Sequence, residues 1–487
     1  MSEPKLRREL GLLHAVMLGV GASIGAGAFV MLGQATAMAG PAIILVLVLS
    51  GVINLLTIFS FCELGAALPE AGGEHVFVKA AYGGLIAFIT GWFEWMSEMF
   101  YAVLMAVGSA IIISYYIPVN IALIAIVLVL IFTVINIRGA KKTGTVAVIL
   151  GLTLLAILTI YAVSGLQHGF RADAFQPFMP KGFLGVIGAT AFIFVVYLGS
   201  EDIVVAQGEI KNPSKTIPRA ILLNVVMLIA VYCTIAYVTV GVVSPEILGE
   251  ETAPLTFVAE KTMGWVGAVL LTIAGLVAAL SSLNTAIMAQ SRVVYSLGKD
   301  GYFPKVLSAI HRRFGTPYLS VIVTSFFTLV FTAIGALEFA AYAASFGFII
   351  GYSLTNLALM KLRRTKPYLN RPFKVPLYPL APIVGIVASL GLLPFIGPRV
   401  LALGAGLGVL ALLAYYISMV GYHRIRIAFG GMSLGVGVFV ALLAYMMETG
   451  LVPLVMPSIF LYFLILVSVI SILTGVLNIT TPTRKIF

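Results

Sequence analysis

The sequence predicts an all-α protein that crosses a membrane about fourteen times. Of its 487 residues, 61% are hydrophobic and only 10% are charged, whereas soluble domains carry about 25% charged residues. Apolar runs longer than the roughly 18 residues needed to cross a bilayer recur along the chain. The predicted spans are 11–39, 41–68, 84–115, 119–138, 144–166, 184–206, 217–243, 264–295, 317–336, 338–360, 377–396, 399–421, 429–447 and 454–476.

The lysines and arginines predict the orientation of these spans, because positive residues near span ends stay in the cytoplasm. With the N-terminus inside, nearly all of the 29 basic residues fall on the cytoplasmic side; the exceptions are Arg171, Lys181, Lys261 and Arg399. We therefore predict a multi-pass protein of the cell membrane with both termini in the cytoplasm. The net charge of +11 follows from this topology and does not indicate nucleic acid binding. Two cytoplasmic segments, 69–83 and 296–315, are predicted to form surface-lying helices.

Two of the predicted spans carry residues that disfavour a continuous helix at mid-depth. The first contains GVGASIGAGAFV at 19–30, with four glycines around Ser23, and the sixth contains GSED at 199–202. Irregular backbone inside a membrane survives only where it lines a cavity or is buried in protein. We therefore predict that both spans break and turn free peptide groups toward a ligand. Their opposite orientation is typical of an inverted five-helix repeat. Close packing of small residues is the alternative for the glycines.

Five of the 18 acidic residues fall inside predicted spans, namely Glu63, Glu94, Glu98, Glu201 and Asp202. No lysine or arginine is predicted at comparable depth, so the compensating charge is a proton, a metal ion or a cationic group of a substrate. Glu94 and Glu98 are one turn apart on one helix face. All except Glu63 are candidates for proton coupling, with a hydrogen-bonded structural carboxyl as the alternative. For Glu63, near the cytoplasmic end of its span, the structural role is favoured.

The cysteines and histidines indicate neither an enzyme nor a metal protein. Cys62 and Cys233 lie in different spans, and the five histidines are scattered. No nucleophile and base, and no set of metal ligands, is predicted at one depth. We expect no enzymatic activity, no cofactor and no metal site.

Several motifs together resemble the amino acid–polyamine–organocation (APC) superfamily of secondary transporters. They are GASIGAGAF (21–29), FCELGAALPEAGGEHVFVKAAYG (61–83), GSEDIVVAQGEIKNPSKTIPRAI (199–221), ALSSLNTAIMAQSRVVYSLGKDGYFP (279–304) and HRRFGTP (311–317). The resemblance implies a LeuT-like fold, in which spans 1 and 6 are broken. It implies a ten-helix transport core at 1–375, with inverted repeats at about 11–166 and 184–360. Four additional transmembrane helices would follow at 376–487.

The resemblance also implies a substrate site between the two broken helices. Amides at the positive end of a half-helix would hold the carboxylate of an amino acid, and carbonyls of the sixth span would hold its amino group. The residues implied for these roles are Ser23, Gly25, Ala26, Gly27, Val195, Val196 and Leu198. An ion site is implied between spans 1 and 8, with small-residue packing as the alternative. Its residues are Val20, Ser23, Ser281 and Ser282.

Two departures from the family pattern affect the expected mechanism. Leu152, Thr153 and Leu154 stand where some sodium-independent relatives place a lysine, and Ser200 stands where an aromatic residue is usual. We predict a secondary active transporter of amino acids that works by alternating access and is coupled to protons. The unpartnered acids suit a cationic substrate equally well, so an exchanger of cationic amino acids or polyamines stays open. A sodium-coupled symporter stays open through the implied ion site at Ser281 and Ser282. A non-transporting amino acid sensor is a further alternative.

Overall fold

The computed structural model describes residues 10–68, 73–117, 120–139, 144–205, 210–419, 425–449 and 458–480. Within these ranges the chain forms helices and no β-strand, apart from one parallel bridge between Leu10 and Ile210. The α-helices are α1 (Leu12–Ser23), α2 (Ala26–Ala39), α3 (Ile43–Ala67), α4 (Gly73–Tyr82), α5 (Gly84–Ser114), α6 (Ile121–Arg138), α7 (Gly144–Gln167), α8 (Gly182–Ile193), α9 (Asp202–Val205), α10 (Pro213–Val242), α11 (Pro245–Glu250), α12 (Pro254–Lys299), α13 (Tyr318–Ile334), α14 (Leu337–Thr365), α15 (Leu380–Gly391), α16 (Pro398–Met419), α17 (Ile425–Glu448) and α18 (Ser458–Thr480).

The helices are those of a multi-pass membrane protein. Ten helical stretches in the described ranges are long and apolar enough to cross a bilayer, and one of them, Ala26–Ala67, joins α2 to α3 through the 3-10 turn Gly40–Ala42. Outward-facing apolar side chains such as Leu123 and Ile149 suit contact with lipid. Four shorter apolar helices accompany these stretches, at Leu12–Ser23, Tyr318–Ile334, Leu380–Phe395 and Leu464–Val476. The count of fourteen spans and the inverted repeat stay predictions.

α5 lies at the centre of the described bundle. Helices α2, α4, α6, α12, α13 and α14 pack around it. All residues from Phe93 to Ala110 are buried, as expected for a helix that is surrounded by other helices. The two acids of α5, Glu94 and Glu98, therefore face protein and not lipid.

The two segments predicted as surface helices have different outcomes. The first segment, 69–83, contains the helix α4, and its residues 69–72 lie outside the described ranges. For 296–315 the prediction is wrong over most of its length. α12 continues to Lys299, and one 3-10 turn, Lys305–Ser308, follows. Gly301, with a φ of +82°, lies just beyond the end of α12.

The last four helices differ in how they contact the rest of the bundle. α15 packs against α3 and α14, and α16 packs against α5, α14 and α17. α17 and α18 pack mainly against each other. The division into a transport core and four additional helices stays a prediction.

Candidate functional site

The first break separates α1 from α2. α1 ends at Ser23, and the next two residues, Ile24 and Gly25, are extended, with ψ angles of 98° and −169°. α2 then starts at Ala26. The first amides of a helix have no intrahelical carbonyl to bind, and the helix dipole makes this end positive. The first turn of α2 is therefore suited to hold a carboxylate.

The second break separates α8 from α9. After α8 ends at Ile193, the 3-10 turn Phe194–Tyr197 continues the chain. Leu198 is extended, with a ψ of 153°, and Gly199 has a φ of +106°. Only glycine adopts such a φ at little steric cost, since it has no Cβ. Carbonyls that a continuous helix would use internally are thereby freed for other partners.

The two breaks touch each other through their backbones. A Cβ on Gly199 would lie 2.7 Å from the carbonyl carbon of Ala22 and 2.8 Å from the amide nitrogen of Ser23. The hydroxyl of Tyr232, from α10, lies 3.2 Å from the Ser23 carbonyl oxygen and 3.0 Å from that of Val196. The Tyr232 hydroxyl therefore lies between a carbonyl oxygen of the first break and a carbonyl oxygen of the second.

Side chains add a second link between the breaks. The Ser200 hydroxyl donates to Asn224 Oδ1 at 2.7 Å and lies 3.5 Å from the Ser23 hydroxyl. Asn224 in turn donates from Nδ2 to the Val16 carbonyl at 3.4 Å. A phenylalanine or tryptophan at position 200 has no hydroxyl for these contacts. The departure from the family pattern at this position thus creates a polar connection.

The residues predicted to bind substrate lie together in the structure. Ala26 donates its amide hydrogen to Met105 Sδ at 3.3 Å, and Leu198 donates to the Val195 carbonyl at 3.3 Å. The void between the breaks is too narrow for a water molecule as packed. It is lined by Ser23, Gly25, Gly27, Ala28, Tyr101, Leu104, Met105, Val195 and Val196.

Sequence reasoning missed Tyr101 and Met105, which α5 directs at the first break. The Tyr101 hydroxyl donates to the carbonyl of Ala22 at 3.2 Å. The signal was available, because positions 94, 98, 101 and 105 follow the spacing of one helix face. The stripe that contains Glu94 and Glu98 therefore extends to the first break, where the predicted substrate-binding residues lie.

The predicted ion-site residues also lie side by side. The Ser282 hydroxyl, from α12, donates to the Ala22 carbonyl at 2.9 Å and lies 3.5 Å from that of Gly21. Ser281 Oγ lies 3.7 Å from the position of a Cβ on Gly21. The Val20 carbonyl already accepts the amide hydrogen of Ile24, at 2.9 Å. Serine hydroxyls thus meet the negative, carbonyl end of α1.

The candidate acids lie near one another, with Glu94 and Glu98 buried and Glu201 and Asp202 half-buried. Glu94 accepts hydrogen bonds from the amides of Glu74 at 3.3 Å and His75 at 3.1 Å, so it caps the start of α4. Glu201 Oε2 accepts the Gly199 amide hydrogen at 3.1 Å. Glu98 has three acidic neighbours, which are Asp202, Glu201 and Glu94.

Glu74 is a further member of this cluster that the sequence did not reveal. It lies in α4, which was predicted to lie on the membrane surface, but its side chain is only 3% exposed. Burial raises the pKa of Glu74 well above its ordinary value, and the carboxylates of Glu94, Glu201 and Glu98 raise this pKa further. Glu74 therefore binds a proton more tightly than an exposed glutamate does.

The expectation that intramembrane acids have no basic partner is wrong for Glu63. Arg363 donates to Glu63 from two nitrogens, one of them at 2.9 Å, and Arg371 lies 3.1 Å away. The Val375 amide also donates, at 2.7 Å. The physical reason is that α14 continues to Thr365, beyond its predicted end, which brings Arg363 to Glu63. Glu63 therefore has the structural role that was favoured for it.

His75 connects α4 to the end of α12. Its Nδ1 lies 2.8 Å from the Ala87 carbonyl, and its Nε2 lies 2.8 Å from Asp300 Oδ2, while Lys79 also binds Asp300. Both ring nitrogens of His75 therefore face an oxygen that accepts hydrogen bonds. Burial opposes the ionisation of Asp300, but hydrogen bonds from Lys79 and His75 outweigh it and lower the pKa of Asp300.

Comparison with known proteins identifies related chains. A family model described as amino acid permease matches residues 10–422. The branched-chain amino acid permease BcaP of Bacillus subtilis (strain 168) is 28% identical over 423 residues, covering 81% of this chain and 89% of the relative. The methylthioribose transporter of the same strain is 26% identical over 408 residues, which cover 78% of this chain and 86% of the relative. The serine/threonine exchanger SteT of Bacillus subtilis (strain 168) is 27% identical over 408 residues, which cover 79% of this chain and 90% of the relative.

Proposed function

Because the chain belongs to the amino acid permease family, we propose that it is a secondary active transporter that moves a small neutral amino acid by alternating access, coupled to protons. The observation that carries this proposal is the backbone contact between the two breaks, in which Gly199 meets Ala22 and Ser23. Amides and carbonyls converge there, and a zwitterion needs both kinds of group. The family and its relatives are transporters and not enzymes. We further propose that both termini lie in the cytoplasm.

Substrate recognition follows from the ends of the two half-helices. Amides of Gly25, Ala26 and Gly27 bind the carboxylate, because they form the positive end of α2. Carbonyls of Val195, Val196 and Leu198 bind the ammonium group, since each carbonyl oxygen has two lone pairs and accepts a second partner.

The lining of the void supports a small apolar side chain on the substrate. Leu104, Met105, Val195 and Val196 contribute apolar atoms, and Tyr101 contributes a hydroxyl that is directed at the backbone. The names of the relatives include branched-chain amino acids, and serine and threonine. We therefore choose L-valine and L-serine as the first substrates to test.

Met105 supports the proposal that the site alternates between two arrangements. Its sulfur accepts the Ala26 amide hydrogen at the place proposed for the substrate carboxylate. The substrate therefore binds only after this side chain moves. Methionine is unbranched and flexible, so it can leave and return without disturbing the helix that carries it.

The acid cluster supports proton coupling. Glu74, Glu94, Glu98 and Glu201 lie within electrostatic range of one another in the interior. Neighbouring carboxylates disfavour simultaneous ionisation, so we propose that at least one of these carboxyls holds a proton. A change in their spacing during the transport cycle binds or releases that proton, which couples the proton gradient to transport.

Sodium coupling is a second candidate, and the position of Ser281 and Ser282 favours it. These serines meet the carbonyl end of α1, and hydroxyl and carbonyl oxygens are ligands that hard cations prefer. Uptake of radiolabelled L-valine and L-serine into proteoliposomes separates the candidates. Accumulation under an imposed pH gradient without sodium supports proton coupling. Accumulation that requires a sodium gradient at symmetric pH contradicts it, and binding without uptake indicates a sensor.

A further inference from the structure

Glu74 is a buried carboxyl for which substrate recognition offers no role. It lies in the first turn of α4, and its carboxyl packs on the backbone of α14 at Gly351, where a Cβ would overlap Oε2. Within the described ranges this oxygen accepts no hydrogen bond. Burial of a polar atom without a partner costs free energy of folding. The position of Glu74 therefore has a cost that simple packing does not explain.

Tyr352 connects Glu74 to the second break. It follows Gly351 in α14, is fully buried, and its side chain interacts with Glu201 and lies within electrostatic range of Glu74. Asn54 donates from Nδ2 to the Tyr352 oxygen at 3.4 Å, which leaves the phenol hydrogen for an acceptor. The ring is held in place by aromatic contacts with Phe61, Phe194 and Phe348.

We propose that Glu74 carries the coupling proton between the second break and the cytoplasmic side. This inference rests on the proposed function, because it concerns the same proton. Over one transport cycle Glu201 gives up a proton and Glu74 takes one up, so the net charge of the acid cluster is unchanged and one proton has moved from one carboxyl to the other. Glu74 then releases the proton to the cytoplasm when α4 moves away from α14.

The groups around Glu74 favour a proton on its carboxyl while α4 packs against α14. α5 contributes Glu94 and Glu98, the second break contributes Glu201, α14 contributes Tyr352 and α4 contributes the neighbouring His75 ring. The Glu63 carboxylate of α3 is compensated by two arginines. Glu94 accepts two amide hydrogen bonds, which favour its charged form. Negative charge is therefore best placed on Glu94 and the proton on Glu74.

The test uses the full-length protein in proteoliposomes with radiolabelled L-valine. Glu74→Gln keeps the shape of the side chain and removes its titration. We expect this variant to lose accumulation driven by a pH gradient at least tenfold but to keep exchange of internal for external valine at equal pH. Glu338→Gln removes an exposed acid from the start of the same α14 and is the matched control, with accumulation as in the wild type. Gly351→Ala displaces the Glu74 carboxyl and is expected to impair accumulation as well.

The outcomes separate this inference from the proposed function. Wild-type pH-driven accumulation by Glu74→Gln overturns the role of Glu74 while proton coupling stands. Absence of pH-driven uptake by the wild type overturns the proposed function and this inference with it. If Glu74→Gln does not fold, Glu74→Asp decides the matter. This variant keeps a titrating group in a new position, so the pH of half-maximal uptake must shift, and an unchanged pH profile overturns the inference.

Discussion

Substitution of Gly199 by alanine perturbs the contact between the two breaks most directly. At a φ of +106°, an L-residue other than glycine is strained by about 1–3 kcal/mol. The added Cβ would also lie 2.7 Å and 2.8 Å from backbone atoms of Ala22 and Ser23. Backbone cannot rotate away as a side chain does, and such overpacking costs about 1–3 kcal/mol more. We expect a total loss of about 2–6 kcal/mol in the free energy of unfolding.

Gly335→Ala is the matched control for this prediction. Gly335 has a φ of +69°, and no atom lies within 4 Å of its Cβ position. Alanine there costs only the left-handed backbone, about 1–2 kcal/mol. The additional free-energy cost of alanine at Gly199, beyond the cost at Gly335, destabilises the arrangement in which the two breaks touch. An excess of about 1–3 kcal/mol lowers the population of that arrangement about 5–150-fold.

Thermal unfolding of the purified variants and uptake of L-valine measure these two effects. We expect Gly199→Ala to unfold at a lower temperature than Gly335→Ala and to transport at least fivefold more slowly. If the two variants unfold and transport alike, the reasoning about contact between the breaks is refuted.

Three further predictions concern groups around the site. Tyr232→Phe removes the hydroxyl between the breaks and is expected to cost about 1–3 kcal/mol, and an unchanged unfolding temperature contradicts this. The raised pKa of Glu74 means that the folded state binds its proton more tightly than the unfolded state, so this group's contribution to stability falls as pH rises above about 4.3. Glu74→Gln is therefore expected to raise the unfolding temperature more at pH 8 than at pH 5, and an equal effect at both contradicts the assignment. The lowered pKa of Asp300 has the opposite sign, because its contribution is present at neutral pH and is lost as pH falls through that pKa. Asp300→Asn is expected to cost about 1–3 kcal/mol at pH 7, and thermal unfolding at pH 7 checks this, since no loss of stability refutes the link to His75.

The sequence predicts the breaks well because local chemistry determines them. Residues 19–30 combine four glycines with a serine, and 199–202 combine a glycine with two acids. Such residues weaken a helix wherever the rest of the fold places them. The structure accordingly has non-helical backbone at Ile24, Gly25 and Leu198.

The partners of individual charged groups could not be predicted in the same way. Glu63 meets Arg363 only because α14 extends past its predicted end, and the end of a helix is the least certain part of a sequence-based prediction. Glu74 lies in a short helix with charged residues, which is typical of a surface, and packing against α14 buries it. The role of Met105 depends on which face of α5 meets the first break. These features arise from tertiary packing and not from local patterns.

A cryo-electron microscopy map of the protein saturated with L-valine tests the central claim most directly. We predict density for one amino acid between the two breaks, with its carboxylate at the amides of Gly25, Ala26 and Gly27 and its ammonium group at the carbonyls of Val195–Leu198. The Met105 side chain should have moved away from the Ala26 amide. Valine bound elsewhere, or first and sixth spans that run as continuous helices, contradicts the account.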